Sequence, residues 1–163
     1  MESFKKEDII KLVISFLIVY IIAIIGSLFT SPEISTWYAS IAKPAWTPAG
    51  WVFPIVWNIL YILMSIGLFL VWREGIQNKN VKTALIIFSI QLSLNLIWSI
   101  IFFGFHSIVG GLGIIIILWI FILLNIITFY KVSKLAGIVL IPYIIWVTIA
   151  MYLNYSVYLL NLY

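Results

Sequence analysis

The chain has 163 residues, of which 65% are hydrophobic and 9% charged, with a formal net charge of +4. Soluble domains carry about 25% charged residues, so this composition excludes an ordinary water-soluble fold and predicts an all-α integral membrane protein of one domain spanning residues 1–163. With no cysteine and one histidine, it also offers no disulfide framework, thiolate nucleophile or multi-ligand metal site, and its few cations suit a membrane face rather than a nucleic acid.

A membrane-crossing helix needs about 20 apolar residues. The first such run places a helix at about 9–29. Lys5, Lys6 and Lys11 precede it in the manner of a signal sequence, but the run is long and Ser27 to Thr30 make a poor cleavage site, so it is read as a retained span. Residues 30–50 hold Pro32, Pro44 and Pro48 and are read as a structured loop. A second helix is expected at 51–72, followed by a polar turn from Arg73 to Lys82. From Thr83 to Tyr130 there is no formal charge. One helix of that length would reach about 72 Å, more than twice the hydrocarbon thickness, so the chain must reverse. Gly104, His106, Gly110 and Gly111 mark the reversal between helices at 81–103 and 108–130. Lys131 and Lys134 make the next turn, and a fifth helix is expected at 135–160.

The resulting five-helix bundle has a strong charge asymmetry. Lys5, Lys6, Lys11, Arg73, Lys79, Lys82, Lys131 and Lys134 fall on one side, and Lys43 alone on the other. The positive-inside rule then places the N-terminus in the cytoplasm and the first loop and C-terminus outside. The odd helix count and lack of repeats argue against an inverted-repeat transporter.

Three helices carry residues unsuited to plain lipid contact. Trp57, Tyr61 and Met64 share a face of the second helix. Gln91, Asn95, Trp98 and Phe102 form a stripe on the third, and Tyr143, Trp146, Ala150 and Asn154 one on the fifth. Amides are costly in hydrocarbon unless bonded, so these faces should point inward. They either glue the helices and fill the core, or together wall a site for a planar, mostly apolar ligand with a polar edge. Ser89 with Ser93, and Ala23 with Ser27, are small pairs that permit close helix contact. Trp37, Trp51 and Trp72 suit membrane boundaries, and Trp119 suits lipid or helix packing. Catalytic chemistry is thin. The acids Glu2, Glu7, Asp8, Glu33 and Glu74 all lie outside the expected spans, and His106 is expected to be solvated or to cap a turn.

Three segments carry a resemblance. They are Trp37 to Pro48 leading into Trp51-Val52-Phe53-Pro54-Ile55-Val56-Trp57 and Leu60-Tyr61; Gln91 to Asn95 with Trp98-Ser99 and Phe102-Phe103-Gly104; and Pro142 to Trp146 with Leu153-Asn154-Tyr155. The chain resembles the TspO/MBR family of tryptophan-rich sensory and translocator (peripheral benzodiazepine receptor) proteins from about Gly26 to Tyr158. The resemblance implies a homodimer of five-helix subunits, here in a bacterial or archaeal cell membrane. It implies a receptor that binds porphyrins such as protoporphyrin IX, and synthetic benzodiazepine-type ligands, under the first loop. It requires no cofactor, the porphyrin being the ligand. The ligand-binding residues the resemblance implies are Tyr38, Trp46, Trp57, Asn95, Trp98, Trp146 and Ala150, with Pro48 in the lid; the inward stripes add Tyr61, Tyr143 and Asn154, and Lys43, the one outward cation, is a candidate for the propionates. The alternatives are a light- and oxygen-dependent porphyrin-degrading enzyme, in which Trp57 and Trp146 would be the reacting residues, and a transporter of apolar ligands. Two departures stand out. Ala49 replaces a second proline, and no basic residue follows Tyr155, so cholesterol recognition is not expected.

Overall fold

The computed structural model describes residues 5–162; Glu2 lies outside them. The chain forms α1 (Lys6–Ile34), α2 (Trp37–Ser40), α3 (Val52–Trp72), α4 (Lys79–Ser99), α5 (Ile108–Val132), α6 (Lys134–Ile138) and α7 (Ile141–Leu160). A π-helical turn, Ile100–Gly104, continues α4. Five spans are long and apolar enough to cross a membrane: α1, α3, α4 with its π turn, α5, and α6 with α7. Their outward side chains are bare hydrocarbon, as at Leu17, Leu28, Ile86 and Val109. Such a surface is stable only in lipid.

Four boundaries differ from the sequence reading, each for a local reason. The first helix runs on to Ile34 through Pro32, so the first five residues of the expected loop are helical. At 29 residues α1 reaches about 44 Å and projects beyond the hydrocarbon, where water can serve the carbonyl that Pro32 leaves unbonded. The expected loop also contains the short helix α2. Gly110 and Gly111 belong to the first turn of α5 rather than to the reversal, which is confined to Phe105–Ser107. There Ser107 caps α5 by accepting from the Gly110 N–H at 3.1 Å. The fifth span is broken at Val139 and Leu140, because Pro142 in the first turn of α7 has no N–H to continue the α6 ladder.

In the bundle, α1 packs on α3 and α4, α4 on α5, α5 on α7, and α6 on α3, which closes the ring. Glycines set the closest approaches. A Cβ on Gly137 would lie 2.6 Å from Tyr130 Cβ, and one on Gly111 would lie 2.5 Å from the Phe102 ring. The core is aliphatic and aromatic, with Val19, Met64, Phe88, Ile122, Phe129 and Val147 almost fully buried. Phe88 stacks on Phe129 between α4 and α5, with centroids 5.6 Å apart. Trp119 donates to Thr148 Oγ1 at 2.8 Å, so it joins α5 to α7 and helix packing is its role. Asn125, buried on α5, was not anticipated as an inward residue.

Two ends follow from this alternation. One carries the N-terminal lysines and the turns after α3 and α5, and is basic. The other gathers residues 35–51, the 105–107 turn and the end of α7.

Candidate functional site

The loop end encloses a cavity of about 130 Å³ walled by α1, α2, α3, α4 and α7. Each helix contributes the face that its pattern predicts. On α4 the stripe Gln91, Asn95, Trp98 and Phe102 is buried throughout. The π turn then adds Phe103, so two consecutive rings face inward, edge to face at 4.9 Å. A regular α-helix would turn the second ring about 100° away.

The aromatic wall is continuous. Trp57 lies 5.6 Å from Tyr61 and 6.4 Å from Trp98, in both cases with planes inclined by 29°. Trp98 stacks on Phe102 at 5.5 Å. Across the cavity Phe53 meets Trp146 edge-on at 5.9 Å. Opposite these rings, α1 supplies a small-residue wall of Ala23, Gly26, Ser27 and Thr30. Ala23 and Ser27 therefore leave room for the cavity on this side. Among the described residues no Lys, Arg, Asp, Glu or His lines the cavity. Among the described residues no cluster of His, Asp or Glu could hold a metal ion.

Below the cavity a hydrogen-bonded chain ties three helices. The Tyr61 hydroxyl donates to Asn95 Oδ1 at 3.3 Å, and Asn95 Nδ2 donates to the Tyr143 hydroxyl at 3.1 Å. Two further polar atoms on cavity-lining residues, Trp98 Nε1 and Asn154 Oδ1, are buried with no partner. An unpaired buried donor or acceptor costs about 1–3 kcal/mol.

A lid covers the loop end. Tyr38 on α2 packs against Phe53, Phe102 and Phe103 and is almost fully buried. Burial pushes its phenol up to about 12. Lys43 folds back on α2, donating to the carbonyl oxygens of Tyr38, Ala39 and Ile41, with its ammonium 5.0 Å from the Tyr38 ring centre. Two contacts fasten the lid to α7. Asn161 Nδ2 donates to Ala42 O at 2.9 Å and its Oδ1 accepts from Ala42 N at 3.2 Å. Trp46 stacks on Tyr152 at 5.3 Å. A third contact fastens it to the 105–107 turn. Trp37 stacks on the His106 ring at 4.5 Å, and His106 Nε2 lies 3.1 Å from Glu33 Oε2. His106 holds φ 52°, a left-handed conformation uncommon for a residue with a Cβ. It is exposed in the turn, in line with the expectation of a solvated or turn residue, and its ring and Nε2 also pin the lid.

Of the ten residues singled out from the sequence, Tyr38, Trp57, Tyr61, Trp98, Trp146, Ala150 and Asn154 line the cavity. Asn95 and Tyr143 lie beneath it, in the chain that fixes Tyr61. Trp46 lies outside, on Tyr152. Lys43 is not a cavity residue, because the carbonyls at the end of α2 capture its ammonium. The sequence reading missed Phe53, the α1 wall and Asn161. An amide just past a long apolar helix was the available signal for Asn161.

A lidded, aromatic-walled cavity inside five helices long and apolar enough to cross a membrane defines the class, an all-α membrane protein with an apolar pocket. The chain belongs to the TspO/MBR family, which residues 15–160 match. It is 45% identical to the tryptophan-rich protein TspO of Chlorobaculum tepidum over 83% of this chain and 86% of that one. It is 43% identical to the protein of the same name from Archaeoglobus fulgidus, over 94% and 99% of the two chains. The human translocator protein is 37% identical over 82% and 80%.

Proposed function

We propose that the protein is a membrane receptor for flat apolar tetrapyrroles such as protoporphyrin IX, acting in a bacterial or archaeal cell membrane. Its basic end faces the cytoplasm and its lid faces outward, in accord with the positive-inside rule. The observation that carries the reading is the aromatic wall of Trp57, Tyr61, Trp98 and Phe102 facing Trp146 across a cavity that no charged residue lines. Faces of this kind bind planar π systems by offset stacking. The propionates of a porphyrin would lie toward the lid and the membrane surface, since the cavity lining has no cation to meet them.

The enclosed volume of about 130 Å³ is below the ~300–1000 Å³ of pockets that take ligands of drug size. Binding therefore requires the lid to lift and the contact between Phe53 and Trp146 to part. Trp98 Nε1 and Asn154 Oδ1 would gain from a ligand that supplies an acceptor and a donor.

The test is titration of the purified protein with protoporphyrin IX, read by quenching of tryptophan fluorescence. Each aromatic pair contributes about 0.5–1.5 kcal/mol beyond area burial. Replacing both Trp57 and Trp146 by Leu should therefore weaken binding about 5- to 150-fold, with helicity retained. Equal affinity in a folded double variant would refute the site. Illumination of the same samples in oxygen separates a receptor from a porphyrin-degrading enzyme. An enzyme would destroy bound porphyrin faster than free porphyrin bleaches in detergent, and would lose that advantage with Trp57 or Trp146.

A further inference from the structure

A second hollow lies at the opposite end of the bundle, between α1, α3 and α4. It is a groove of about 490 Å³, open at the surface. Its floor is Leu68, Phe88 and Leu92, all nearly inaccessible. Ile18 and Ile22 of α1 form one wall. Ser89 and Ser93 of α4 leave a trough there, because their hydroxyls fold back onto the carbonyls of Leu85 and Ser89 at 2.9 Å. The lining is otherwise apolar, and it faces the bilayer.

The mouth of the groove is basic. Lys11 lies seven residues before Ile18, and Lys82 three before Leu85 and seven before Ser89. These spacings put both lysines on the helix faces that wall the groove, about one to two turns beyond it. Trp72, the last residue of α3, also lines the groove. Neither lysine makes an ion pair among the described residues. Glu7 and Glu74 are the nearby acids, and Asp8 is held by the Lys5 N–H at 3.0 Å.

We infer that this groove is a binding site for one membrane phospholipid with an anionic headgroup. An acyl chain lies along the Ser89 and Ser93 trough, and Lys11 and Lys82 meet the headgroup phosphate. A second copy of the chain is the rival occupant, and charge argues against it. A two-fold dimer through this face would bring each Lys82 to the membrane level of its own copy, setting cation against cation. An anionic lipid turns the same lysines into partners.

The experiment is native mass spectrometry of the full chain released from detergent containing equal phosphatidylglycerol and phosphatidylcholine. A basic residue near an anionic membrane surface contributes about a five-fold preference, so two give about 25-fold in favour of phosphatidylglycerol. The K11Q/K82Q variant should lose that preference and still retain helicity. The S89L/S93L variant fills the trough and should lose retention of both lipids. Equal retention of the two lipids by the wild type overturns the proposal, as does an unchanged preference in K11Q/K82Q. Conversion of a dimer to a monomer by S89L/S93L, with lipid retention unaltered, overturns it in favour of the second copy.

Discussion

Replacing Asn161 by Ala should loosen the lid without touching the cavity wall. Asn161 holds Ala42 by two hydrogen bonds, 2.9 and 3.2 Å long, donating to the C=O and accepting from the N–H of that one residue. A typical intramolecular hydrogen bond contributes about 0.5–1.5 kcal/mol net. Losing both raises the open fraction of the lid by about 1–3 kcal/mol, or roughly 5- to 150-fold. The stack of Trp46 on Tyr152 remains, so the lid should open more often rather than detach. Deuterium exchange over residues 37–50 measures the opening directly, and the association rate of protoporphyrin IX should rise with it. Asn161→Asp is the informative companion. It keeps an acceptor for the Ala42 N–H but sets a carboxylate oxygen against the Ala42 carbonyl, so it should open the lid at least as far. Unchanged exchange at Ala42 in N161A would show that this clasp does not hold the lid.

Four other outcomes are expected. Removing the Asn95 amide with N95L should destabilise the bundle by about 0.6–1.7 kcal/mol in detergent unfolding, since it unpairs the hydroxyls of Tyr61 and Tyr143. G111A sets a Cβ 2.5 Å from the Phe102 ring. That clash costs about 1–3 kcal/mol, offset in part by ~1 kcal/mol of helix propensity, and displaces the ring from Trp98, which near-ultraviolet circular dichroism should register. The Tyr38 phenol, raised by burial to about 12, stays protonated in the closed lid past its ordinary value of 10. Its contribution to closure is therefore complete below pH 10 and lost as pH climbs through 12, with exchange at residues 37–50 accelerating across that window. H106A removes the ring under Trp37 and the partner of Glu33, and should raise the same exchange at the α2 end.

The spans were legible because charges and turn residues punctuate the apolar runs, and because inward amides repeat at helical spacing. Gln91, Asn95 and Asn154 are all buried. The break before α7 was not legible. Residues 135–141 are apolar with one glycine, and only Pro142 signals it, a residue that fits an unbroken helix's kink as well as a helix start. The lid was hidden for another reason. Its fastenings join residues far apart in sequence, Ala42 to Asn161 and Glu33 to His106, and no local pattern encodes such pairs. Lys43 shows the converse. Its isolation among the cations suggested a ligand contact, yet carbonyls two to five residues earlier claim it first.

The π turn at Ile100–Gly104 gives the cavity a sensitivity to chain length that substitution alone would not reveal. Its ladder runs from Phe105 N to Ile100 O at 2.9 Å, one residue wider than an α-helix. Deleting a single residue there would let the turn close to regular α-helical pitch with the chain beyond it nearly in phase, because a π turn is one residue longer than the α turn it replaces. Phe102 and Phe103 could then no longer both face inward, while His106 would keep its place against Trp37 and Glu33. One extra residue sets how many rings the cavity wall presents, so a one-codon deletion should thin the wall while leaving the lid's pin in place and five spans of nearly unchanged length.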